Sequence, residues 1–252
     1  MEYFVKENSI VRKIWGKSDT ILFIFAGAAA EFALNKAVDW LYFTGKLPAN
    51  PLGRLFSTVT YARQIVFSSR PAALAAIGQI NSIHSKVEES RGSKIPQWAY
   101  KDVLYMLIGY SIRAYELLER AMTPAEKQEV FEVFTRVAKE MRIKDLPQDY
   151  KNWQVRSAQH LEENLERSEY SKDLYRQYRK RLGPLRYRLL LQVQAQVCPA
   201  RVKELLGLKP NPFIPVALTA YKVSRFVHLD QVLKSLLLPR DYKDDIRALD
   251  RF

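Results

Sequence analysis

Cysteine occurs once in this chain, at Cys198. That excludes an intrachain disulfide, a cysteine-based zinc site and a CxxCH haem attachment. A cytoplasmic location is the simplest expectation for such a chain, and Cys198, beside Pro199, reads as a packing residue. Glycine is scarce, at 9 of 252 residues, which argues against a turn-rich all-β fold. Histidine occurs three times, at His84, His160 and His228, and no HExxH or ExxH motif joins any of them to a carboxylate along the chain. A zinc or di-iron site built from protein ligands alone is therefore not expected. A P-loop, a Rossmann glycine pattern and a GxSxG elbow are also missing. The first residues, MEYFVKENSIVRKIWGKSD, hold no apolar stretch of the signal-peptide kind. The most apolar run, Ile21 to Leu34, contains Glu31 and is shorter than a membrane span needs, so it reads as a buried core helix.

What is present is an ordinary globular balance, 48% hydrophobic and 27% charged, with enough apolar material for a sizeable core around a cofactor. The formal net charge is +13. Such a field attracts nucleic acid, an anionic membrane face or an anionic ligand. The densest basic stretch, Arg176 to Arg188, reads as a solvated helix face. Clustered RNA-reading motifs are absent, which places nucleic acid last among the partners.

Apolar residues recur at three- and four-residue spacing between prolines, and Thr123-Pro124-Ala125-Glu126 is a capping box with Pro at the first helical position. The spacing predicts one all-α domain over residues 1–252. Its helices are expected at about 19–38, 52–67, 71–90, 98–121, 124–141, 148–167, 171–196, 199–206, 215–237 and 240–250. Gly183-Pro184 should break or kink its helix. The polar segment Lys151 to Lys180 reads as an exposed helix pair.

After Pro71 the residues Ala73, Ile77, Ile80, His84 and Val87 fall on one helix face. His84 therefore points inward, where a neutral imidazole can serve as a metal ligand or can hydrogen-bond to a carbonyl. If it holds a metal, haem is the economical answer, because the porphyrin brings four ligands of its own. His160 reads as exposed, and His228 has nothing converging on it. In PLGRLFSTVTYARQIVF the core stripe is Leu52, Leu55, Val59, Ala62 and Val66, with Arg54, Thr58 and Tyr61 in the adjoining row. A half-buried Arg54 needs an anion. That anion is either a bound guest, to which Thr58 could also donate, or an internal acid such as Glu31 or Asp39. The aromatic helix IPQWAYKDVLYMLIGYSIRAYELLERAM offers Trp98, Tyr105, Met106, Tyr110, Tyr115 and Leu117 as cofactor lining or as core packing. Its acids Asp102 and Glu116 read as surface or capping residues.

Three stretches, in order, resemble the ER-bound oxygenase and rubber oxygenase (latex clearing protein) catalytic-domain family. They are NPLGRLFSTVTYARQIVFSS, similar to an Arg-x-x-x-Thr helix, AIGQINSIHSKVEES, similar to the helix of the axial histidine, and IPQWAYKDVLYMLIGYSIRAYELL, similar to the long helix that follows. The resemblance implies a globin-like all-α fold enclosing haem b, with His84 on the iron and Arg54 and Thr58 in the haem pocket. It implies O2-dependent chemistry on an apolar, unsaturated small-molecule substrate. Two departures stand out: Glu88 and Glu89 where the family often has a glycine, and Ser57 where some rubber oxygenases carry an iron-capping lysine. The family's catalytic acid has no motif match here. The leading expectation is a haem-dependent oxygenase in contact with O2, an apolar substrate and, peripherally, a membrane. The alternatives are a haem-binding sensor or carrier without turnover, and a basic helical adaptor for membrane or polyanion.

Overall fold

A computed structural model describes residues 2–45 and 49–226. The described residues form helices α1 (Ile10–Trp15), α2 (Ser18–Leu34), α3 (Val38–Phe43), α4 (Pro51–Phe67), α5 (Arg70–Arg91), α6 (Gln97–Leu118), α7 (Pro124–Glu140), α8 (Tyr150–Asn164), α9 (Glu169–Val197), α10 (Ala200–Leu206) and α11 (Ile214–Phe226). The all-α class is as expected. Among the described residues the extended backbone pairs only as isolated bridges, Tyr3 with Ser69 and Asn35 with Leu165.

The apolar run Ile21 to Leu34 does form the central helix. α2 lies against α6 and α9, and Ile21, Ile24, Ala30 and Leu34 are all but sealed from water. Close approach is possible because α2 carries Gly27 where α6 presents Tyr110. A Cβ at position 27 would stand 2.3 Å from the Tyr110 ring and 2.9 Å from Val197 Cγ2, distances no side chain tolerates.

Three elements depart from the expected boundaries, one of them α3 over Val38–Phe43, where the pattern predicted no helix. The helix predicted to run to residue 38 stops at Leu34. Asn35 is extended, its Oδ1 accepts the Ala37 N–H at 2.8 Å, and the Leu34 carbonyl accepts the Glu166 N–H at 2.8 Å. Local side-chain bonding thus competes with the helical ladder and wins. A short helix over Ile10–Trp15, not expected from the pattern, is started by the Ser9 hydroxyl accepting the Val11 N–H. It buries Ile14 and Trp15, and the Trp15 indole donates to Ser111 at 3.2 Å.

The other punctuation behaves as expected. The capping box at Thr123 and Glu126 forms. Gly183 interrupts α9 with φ 71° and ψ 173°, a conformation that favours glycine. The predicted helix over 215–237 is seen as Ile214–Phe226. Its remainder, the helix over 240–250 and His228 lie outside the described residues.

Candidate functional site

α4 and α5 form a helical hairpin joined by Ser68 and Ser69. Arg54 lies 13 residues before the end of α4, and His84 lies 14 residues after the start of α5. At the helical rise of about 1.5 Å per residue both stand about 20 Å from the turn. The two lie on neighbouring helices, about equally far along each from the Ser68–Ser69 turn, although 30 residues separate them in the chain. The side chain of Arg54 lies outside the described part, and Thr58, one turn further along, is exposed beside buried Val59.

The stripe that carries His84 is buried in its first half and opens in its second. Ala73 and Ile77 are sealed, whereas Ile80, His84 and Val87 are half-buried. His84 is therefore less enclosed than periodicity alone predicts. The reason is that the far half of α5 projects past the core towards α3. There Arg91 pairs with Asp39 at 2.6 Å and its guanidinium lies 4.0 Å from the Trp40 ring centroid. His84 meets the edge of Tyr100 at a ring-centroid separation of 5.2 Å.

Tyr100 is in turn held by Glu88. The phenol donates to Glu88 Oε1 at 3.4 Å, and the same carboxylate accepts the Ile95 N–H at 2.9 Å and pairs with Lys94 at 2.9 Å. Partial burial pushes the Glu88 carboxyl upward, but Lys94, the Ile95 amide and Tyr100 outweigh it and the group lies below the usual carboxylate range. Burial, and then the Glu88 charge, push Tyr100 up to about 12, so its proton stays on the ring. Glu88 thus ties the α5–α6 loop together and fixes the ring against His84.

Both acids considered as partners for Arg54 are engaged elsewhere. Asp39 binds Arg91, and Glu31 accepts the Tyr110 hydroxyl at 2.8 Å deep in the core. Burial raises the Glu31 carboxyl to about 7, with Tyr110 and Arg113 opposing. Cys198, 3.7 Å from the Tyr110 oxygen, is pushed by burial up to about 12. It is a packing thiol, as expected. Arg63 of α4, which the apolar pattern did not single out, is buried, and its Nη1 donates to the Trp15 carbonyl at 3.0 Å.

Two expectations are corrected. Asp102 is not a surface acid: it is 4% exposed and accepts from Asn35 at 2.8 Å and Asn164 at 2.9 Å. His160 is not exposed: its side chain is 16% exposed, and Nδ1 forms a short hydrogen bond with Asp102. Spacing held the signal. Ala99, Asp102, Met106 and Gly109 make one face of α6, and Trp153, His160 and Asn164 make one face of α8. Glu116, by contrast, caps as expected, accepting the Met122 N–H and pairing with Lys127.

Among the described residues no three His, Cys, Asp or Glu side chains converge as a metal cage. His84, edge-on to the Tyr100 ring, supplies one imidazole, and haem needs only one axial nitrogen.

Compared with known families, the chain matches the model of the ER-bound oxygenase mpaB/B'/rubber oxygenase catalytic domain over residues 13–229. No curated protein matches it. The match takes in the α4–α5 hairpin, the aromatic α6 and the central packing of α2 against α6 and α9, so the chain belongs to the ER-bound oxygenase mpaB/B'/rubber oxygenase catalytic-domain family and is an oxygenase-type oxidoreductase.

Proposed function

We propose that the chain is a haem b-dependent oxygenase acting with O2 on an apolar, unsaturated substrate, with His84 as the axial ligand. The observation that carries this reading is a half-buried imidazole, braced by Tyr100, in an oxygenase-family chain whose described residues form no metal cage of their own. Bound haem would supply the oxygen chemistry.

The protein's part is binding and orientation. His84 holds its ring edge-on to Tyr100, and Glu88 keeps Tyr100 in place. Arg54, on the neighbouring helix α4, would offer a permanent cation for a propionate or for charge developing on oxygen. Thr58, a turn away, offers a hydroxyl donor. Ile80 and Val87, a turn to either side of His84 on the same helix face, would offer apolar surface to a bound macrocycle. A peripheral membrane contact would bring the enzyme to where apolar substrates are dissolved.

The test is the visible spectrum of protein produced with ample haem, beside that of His84→Ala. A Soret band that is lost or shifted in the variant supports the reading. An identical spectrum moves the ligand elsewhere, and colourless wild-type protein removes haem altogether.

A further inference from the structure

From Leu174 to Phe226 the chain carries eleven basic residues and a single acid, Glu204. Most of the molecule's net charge of +13 is therefore concentrated in α9, α10 and α11. Arg176, Arg179, Lys180, Arg188 and Lys209 are exposed.

This basic region also exposes large apolar side chains. Leu185 is 72% exposed, Phe213 76% and Val216 68%. Their presence is not explained by internal packing. The inward face of α9 around the Gly183 kink is already occupied by Leu182, Tyr187 and Leu190, which lie against Ala33, Val38, Leu174 and Tyr178. Leu185, Leu189 and Gln192, at spacings of four and three, form the outward face. The Asn211 N–H donates to Gln192 Oε1 at 3.2 Å, and the Phe213 N–H donates to Asn211 Oδ1 at 2.9 Å. The segment bearing Phe213 is thus tied to the helix that exposes Leu185 and Leu189.

We propose that this face, Leu185, Leu189, Phe213 and Val216 rimmed by Arg188 and Lys209, is the surface by which the protein docks on an anionic membrane. Apolar side chains inserted at the headgroup–acyl boundary and a basic rim on lipid phosphates are the two attractions that interfacial binding combines. A nucleic acid would use the charges but has no use for exposed Leu and Val. No helix among the described residues is long and apolar enough to cross a membrane; the contact proposed is made by exposed side chains at the surface. The proposal deepens the membrane part of the reading above and rests on that part alone.

The test is co-sedimentation of the full chain with vesicles of phosphatidylcholine alone and of phosphatidylcholine with phosphatidylserine. Binding should require phosphatidylserine and weaken as salt is added. Leu185→Ser and Phe213→Ser should each weaken partition about tenfold. Arg188→Gln and Lys209→Gln should each weaken it about fivefold. Helical circular dichroism checks that each variant is folded. Equal binding to both vesicles, or variants that bind like the parent, would overturn the proposal. So would a single-stranded RNA oligonucleotide that displaces the vesicles and binds the Ser variants undiminished. Sedimentation needs no bound haem, so colourless protein that still sediments would fail the haem reading and leave this surface standing.

Discussion

The Tyr110 hydroxyl donates to Glu31 at 2.8 Å in the interior, between α6 and α2. The folded carboxyl titrates at about 7, against 4.5 for an ordinary glutamate. The native state therefore holds this proton more tightly than the unfolded chain. The stabilisation is fully present below pH 4.5 and is lost as pH rises to about 7. Its upper size is about 3 kcal/mol. Urea unfolding of the parent should weaken over that window, and Glu31→Gln should show a flatter profile. An unchanged profile in the variant would contradict the assignment.

Gly27→Ala tests the α2–α6 contact. The added Cβ meets Tyr110 at 2.3 Å, and overpacking of this kind costs about 1–3 kcal/mol. Thermal unfolding should drop by several degrees, with the Glu31 titration displaced as Tyr110 shifts. A Tm equal to the parent's would mean that the helices are further apart than described.

Removing the carboxylate of Asp102 strands the donors of Asn35, Asn164 and His160 together. Asp102→Ala should destabilise by about 3 kcal/mol or more, and His160→Ala by less. Denaturant midpoints for the two variants and their double mutant give the coupling, and simple additivity would show that the cluster does not act as a unit.

Glu88→Gly removes the carboxylate that the Ile95 amide, Lys94 and Tyr100 share. It should release Tyr100 and the loop at Ile95, costing about 1.5–3 kcal/mol. On haem-loaded protein it should also alter the Soret band, because the ring against His84 is freed. Tyr100→Phe keeps the ring and loses only the hydroxyl bond, so its band should lie nearer the parent's.

Thr58 is exposed. Thr58→Val should leave stability within about 0.5 kcal/mol. Under the oxygenase reading it should nonetheless slow turnover of an unsaturated apolar substrate. Equal rates would remove Thr58 from the site.

Most helices were legible because prolines and caps punctuate a strong three-and-four periodicity. The capping box at Thr123 and the break at Gly183 are read from local chemistry and appear as such. α1 was missed because its six residues are too few to show a period. The end of α2 was missed because Asn35 answers to Asp102 and Leu165, partners 67 and 130 residues away. His160 was misread for the same reason: its surroundings along the chain are polar, and its partner comes from another helix.

Local pattern alone determined that this chain is all-helical, strongly basic and built around an apolar α2, because periodicity, caps and charge are properties of neighbouring residues. It also put His84 on a core-facing stripe. Only the tertiary structure decided how far His84 is enclosed, that Glu88 steers Tyr100 onto it, and that Asp102, His160 and Glu31 are interior. Burial is a property of what packs across from a residue, and the packing helices come from distant parts of the chain.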